Sequence, residues 1–275
     1  MSTATPIDVD QSIREITEDE VEHYRAHGWA KLEGLMTPEL AGELLERAKA
    51  RMGERADAEM PDDRPGLLNP HLEALWRNWQ NPAEEDDFFR SVSQSSPMGR
   101  LASRVLRDRD VRWWADGILC KLPAADGGAR TPWHQDFPYL SHDRIGLLNV
   151  WVALVDMPPE RGTMRFLNGS HRLGPMGRVI HRTDGQDLVD LYPWVADEHE
   201  ISEPLHLKPG DATIHDWMTV HMAPDNGTSE PRWAYTDSLF PAETLFTGAQ
   251  QRRTDGLGLT INEPFDHPRF PVLPV

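Results

Sequence analysis

The 275-residue chain has one cysteine, four tyrosines and no apolar run near the ~18 residues that a membrane span requires. A lone thiol, Cys120, excludes an intrachain disulfide and any CxxC metal site. Its neighbours Ile118, Leu119 and Leu122 read as buried strand, which makes Cys120 a small hydrophobe rather than a nucleophile. Positive charge is also scarce: 28 Lys and Arg face 45 Asp and Glu, a net charge of −17. That balance argues against a phosphate-backbone binder, so no nucleic-acid partner is expected. The stretch MSTATPIDVDQSIREITEDE lacks the apolar core of a secretory leader, and a cytoplasmic location without membrane association is expected.

Histidine (12) and tryptophan (10) are what the chain has in quantity. Residues 1–14 are polar and aperiodic and read as a flexible tail. Thr17 with Glu20 forms a capping box for a helix running to Gly28, and a short strand follows near 29–32. Thr37-Pro38 opens a second helix with Leu40, Leu44, Leu45, Ala48 and Met52 on one face. Residues 56–70 read as loop, and helix is expected at 71–79, at 84–94 and after Ser96-Pro97. From 111 onward the strand candidates are 111–122, 146–157, 163–167, 201–207, 212–215 and 232–240, separated by Pro/Gly turns. Short strands at this spacing predict a sandwich or barrel. The expected organisation is one domain over 15–275, mainly β with α: a helical layer mainly over 15–110, a β core mainly over 111–240, and a C-terminal extension over 241–275.

Chemistry concentrates at Thr131-Pro-Trp-His134-Gln-Asp136, where extended backbone puts His134 and Asp136 on one side. With 12 His and 25 Asp, chance alone supplies about one such HxD string, so the pair gains meaning only from context. That context is a later strand carrying Gly210-Asp-Ala-Thr-Ile-His215 and then His221. Two neutral imidazoles and a carboxylate form the facial triad of non-haem Fe(II) oxygenases, although zinc accepts the same donors. A 2-oxoglutarate co-substrate needs a cation for its far carboxylate, and an Arg fork suits it best. Arg232, on the strand after His221, is the only basic residue between His221 and Gln251.

The runs His134-Gln-Asp136, Asn149-Val-Trp-Val-Ala-Leu-Val-Asp156, Gly162-Thr-Met-Arg-Phe-Leu-Asn-Gly-Ser-His171 and Gly210-Asp-Ala-Thr-Ile-His-Asp-Trp-Met-Thr-Val-His221, then Asn226 and Arg232, resemble the phytanoyl-CoA dioxygenase family over roughly 111–240. The resemblance implies a double-stranded β-helix (jelly roll) with N-terminal helices, Fe(II), 2-oxoglutarate and O₂. It places His134, Asp136 and His221 on the iron, Arg232 on the 2-oxoglutarate carboxylate and Trp151 beside the co-substrate. A Ser often found two residues after the distal His is Ala223 here. Family halogenases carry Gly or Ala where this chain has Asp136, so oxygenation is expected rather than chlorination.

Three functions follow: a hydroxylase of a small organic molecule of the kind found in secondary metabolism; the same chemistry ending in desaturation, epimerisation or cyclisation; or a non-catalytic metal-binding jelly roll. His215 reads as a packed histidine with a place near the metal as the alternative. Ser170-His171 reads as a loop-fixing pair, and Trp76, Trp79, Trp113 and Trp114 as core.

Overall fold

The computed structural model describes residues 6–60, 76–179 and 186–275. Helix α1 (Glu18–His27) begins with the Thr17–Glu20 capping box, both of whose hydrogen bonds are formed. It ends at Gly28, whose positive φ of 83° returns its N–H to Tyr24 O. A Cβ there would lie 2.5 Å from Thr219 Oγ1, whose hydroxyl donates to Gly28 O at 2.7 Å. The absent side chain thus lets the turn before His221 rest on the helix end. Helix α2 (Pro38–Met52), capped by Thr37, buries Leu40, Ala41, Leu44, Ala48 and Met52. Helices α3 (Pro82–Glu85), α4 (Asp87–Ser93) and α5 (Ser96–Val105) complete the layer.

The strands are β1 (Trp29–Leu32), β2 (Arg77–Gln80), β3 (Val111–Lys121), β4 (Thr131–His134), β5 (Leu148–Ala153), β6 (Arg165–Phe166), β7 (Ala212–Asp216), β8 (His221–Ala223) and β9 (Arg232–Pro241). Two antiparallel sheets result, one ordered β1-β7-β5-β9-β3-β2 and the other β4-β8-β6. The architecture is a jelly roll with its helices against the larger sheet. Alternation along β5 explains the layering: Leu148, Val150 and Val152 join the helix-side core, while Trp151 and Ala153 join the cluster between the sheets. A bulge between Trp113 and Ala115 shifts this parity along β3, so that Val111 and Trp113 share the helix-side core with Ile118 and Cys120, while Trp114 and Ala115 both join the cluster with Phe240, Phe265 and Phe270.

Asp237 on β9 is fully buried and lies directly across from Asp116 on β3. Asp237 accepts from Trp113 Nε1 at 2.9 Å, and Asp116 from the Ala83 N–H at 3.1 Å. Burial pushes both carboxyls well above their ordinary range; Asp116 raises Asp237 further, and Glu84 raises Asp116.

Three expectations are corrected. Residues 6–14 do not trail as a tail: Ile13 is buried and bridges Met36, and the Arg14 N–H donates to Leu35 O at 2.9 Å. Helix at 71–79 is replaced at its described end by β2, because Trp79 gains burial by pairing with Ile118; the remainder, 71–75, lies outside the described residues. No strand forms over 201–207. Ile201 and Leu207 make single bridges to Leu167 and Met157, and Ser202 spends its hydroxyl on the Phe166 N–H. Helices α6 (Leu188–Leu191) and α7 (Pro193–Glu198) lie outside the expected layout, though Asp187 with Asp190 caps the first and Pro193 opens the second. No helix among the described residues is long and apolar enough to cross a membrane.

Candidate active site

His134 ends β4 and His221 begins β8, and the two are paired directly across the small sheet. Their rings lie 4.2 Å apart between centroids. Asp136 follows on a turn fixed by its own N–H and that of Phe137, both donating to Trp217 O at 3.0 Å. The ligand atoms of His134, Asp136 and His221 fall within 4.8 Å of one another. Each imidazole has one nitrogen committed. His134 Nδ1 donates to Pro132 O at 2.7 Å and His221 Nδ1 to Thr219 O at 3.0 Å, since a carbonyl can only accept. Both Nε2 lone pairs are therefore left for a metal.

Burial, reinforced by His134, pushes the His221 imidazole well below its ordinary range, so it stays neutral. Withdrawal from water alone would raise Asp136, but the polar groups around it hold the carboxyl well below the usual range. Two neutral imidazoles and one ionised carboxylate, with the Asp136 side chain about one-quarter open to the site, are the donor set of an Fe(II) centre with free positions.

Two hydrogen-bonding residues to which sequence reading gives no role are polar side chains turned inward. Gln135, fully buried, donates to Met218 O at 2.7 Å and Gly174 O at 3.0 Å and accepts from the Met176 N–H at 2.8 Å. It pins the His134–Asp136 segment to the turn before His221. Asn149 Nδ2 donates to Asp136 Oδ2 at 3.0 Å. Nothing local distinguishes either residue from an exposed amide. His215 stands 3.7 Å from Asp136 Oδ2, behind the carboxylate rather than in the outer packing. Ser170 donates to Leu167 O and accepts from the Val220 N–H, as its loop-fixing reading requires.

Arg232 lies deeper between the sheets and is 3% exposed. One guanidinium nitrogen donates to Gly162 O at 2.6 Å, Nε is buried without a partner, and the group lies 5.1 Å from the centre of the Trp151 ring. Burial lowers Arg232 to about 10, which leaves it charged at neutral pH. Gly162 approaches so closely that a Cβ on it would sit 2.7 Å from Pro224 O.

Directly across from Arg232 on β3 is Lys121, a second buried basic residue that the sequence did not single out; burial, reinforced by Arg232, pushes its amine well below the ordinary range. Its Nζ donates to Thr131 Oγ1, Ala223 O and Pro224 O at 3.2, 3.1 and 3.0 Å, tying the two sheets together. Lys121→Met should strand both carbonyls and lower stability by about 1–3 kcal/mol in urea unfolding. Cys120, next to it, is buried, and burial pushes its thiol up to about 12, consistent with a packing role.

The family model for phytanoyl-CoA dioxygenase matches residues 24–234. The chain belongs to the phytanoyl-CoA dioxygenase family. Phytanoyl-CoA dioxygenase domain-containing protein 1 of Danio rerio is 23% identical over 268 residues, covering 83% of this chain and 91% of that protein. The Mus musculus protein of the same name is 30% identical over 187 residues, covering 66% of this chain but 62% of its own length. Among solved structures, the non-haem α-ketoglutarate-dependent carbocyclase SnoK from nogalamycin biosynthesis superposes with a TM-score of 0.72 at 23% identity, covering 98% of this chain and 100% of SnoK. This member of the family is a non-haem Fe(II)/2-oxoglutarate-dependent dioxygenase, with Fe(II) as its metal and 2-oxoglutarate as co-substrate.

Proposed function

We propose that His134, Asp136 and His221 hold the iron, that Arg232 anchors the far carboxylate of 2-oxoglutarate beside Trp151, and that the enzyme hydroxylates a C–H bond of a small organic molecule. The observation that carries this reading is a buried Arg with an unpartnered Nε, seated against Trp151 on the large sheet, while the small sheet bears the His134–His221 pair of the His–Asp–His cluster. When bound, Fe(II) with 2-oxoglutarate and O₂ supplies the oxidation, yielding succinate, CO₂ and one oxygen atom for the substrate. The chain's residues supply placement. Arg232 fixes one end of the co-substrate, Trp151 walls its flank, and Asp136 occupies the position that a halide would need. Ala223 offers no hydroxyl, and Thr213, buried on β7 with its Oγ1 unpartnered and in register with Trp151, is the available substitute.

Anaerobic titration of the metal-free protein with Fe(II) and then 2-oxoglutarate should produce the visible charge-transfer band of the chelate. Arg232→Ala should weaken 2-oxoglutarate binding at least tenfold, because a buried charge contact is worth about 2 kcal/mol or more. Iron binding with no band would overturn the assignment. Desaturation, epimerisation or cyclisation would use the same residues, and product analysis separates them from hydroxylation. A non-catalytic module would release no succinate with any substrate.

A further inference from the structure

We infer that Asn149 and Ser238 are positioning residues that present Asp136 to the metal through one oxygen. The inference rests on the metal site proposed above. Asn149 on β5 and Ser238 on β9 are direct cross-strand partners, and both side chains face inward beneath Asp136. The Ser238 hydroxyl donates to Asn149 Oδ1, and Asn149 Nδ2 donates to Asp136 Oδ2 at 3.0 Å. The polarity of this chain is fixed by chemistry: an ionised carboxylate only accepts, so the amide nitrogen must face it and the amide oxygen must face the hydroxyl. Ser238 is 7% exposed, which keeps water from competing for Asn149 Oδ1.

The two Asp136 oxygens are consequently unlike. Oδ2 has the Asn149 N–H on it, with His215 Nε2 at 3.7 Å and His221 Nε2 at 3.9 Å. Oδ1 is 3.5 Å from His134 Nε2 and, among the described residues, takes no amide or hydroxyl hydrogen bond. A carboxylate free at both oxygens can swing to chelate a cation and take a coordination position that co-substrate or O₂ requires. One whose second oxygen is engaged binds through the first alone. Partners of this kind set ligand orientation and metal affinity.

The test is cobalt(II) titration of the wild type, Asn149→Ala, Ser238→Ala, Ser238→Thr and Asp136→Ala, with the visible cobalt spectrum and the thermal midpoint of each metal-free protein. Asn149→Ala should weaken cobalt binding about 10–100-fold, and Ser238→Ala should weaken it less. Both should change the intensity of the cobalt bands, Ser238→Thr should restore wild-type behaviour, and the metal-free midpoints should stay within a few degrees. Unchanged affinity and spectrum in Asn149→Ala, or in Ser238→Ala should the former not fold, overturn the inference while leaving the metal site standing. Affinity retained in Asp136→Ala would instead overturn the metal assignment.

Discussion

Asp136→Ala is expected to abolish turnover and to weaken Fe(II) binding at least about a thousandfold, well beyond the 10–100-fold typical of a residue that acts through a ligand. Asp136 is the anionic member of the cluster; without it, a dication would face two neutral imidazoles in a buried site. The fold should survive. The segment is held by the Asp136 and Phe137 N–H groups and by Gln135, none of which needs the carboxylate. Isothermal titration with Fe(II) under argon, paired with the far-ultraviolet spectrum, checks both halves. An intact fold with wild-type iron affinity would move the metal elsewhere.

Asp237→Asn is expected to raise stability at neutral pH. Burial, with Asp116 across the strand, holds the Asp237 carboxyl well above its ordinary value of 3.8. The folded state therefore keeps a proton that the unfolded chain gives up, and unfolding free energy falls as pH rises through the window between the two pKa values. The slope for one such proton is about 1.4 kcal/mol per pH unit. Asparagine keeps the acceptor for Trp113 Nε1 and removes the titration. Urea unfolding from pH 4 to 8 should show the wild type losing stability against the variant by about that slope until the folded pKa is passed. Parallel curves would mean that Asp237 ionises in the folded protein at no cost.

Local rules made much of this molecule readable. Thr17, Glu20, Thr37 and Pro38 mark their helix starts by chemistry confined to a few residues. Runs of β-branched and aromatic residues along β5 and β9 announce strands whatever their partners. What escaped depends on pairing across long stretches of chain. Trp76 and Trp79 have helical spacing, yet Trp79 is strand because Ile118 lies opposite. Asn149 meets Ser238 because two strands align in one register among many, and a polar side chain carries no mark of that alignment in advance. The His–Asp pair stood out only because His221 and Arg232 followed in an order that makes chemical sense.

The proposed role of Arg232 has a consequence for by-product release. The guanidinium grips the carboxylate that the reaction leaves untouched, and succinate retains that group after CO₂ has gone. Succinate is then expected to compete with fresh 2-oxoglutarate for the same floor between the sheets. An oxygenase built this way is throttled by the ratio of the two dicarboxylates around it, whatever molecule it oxidises.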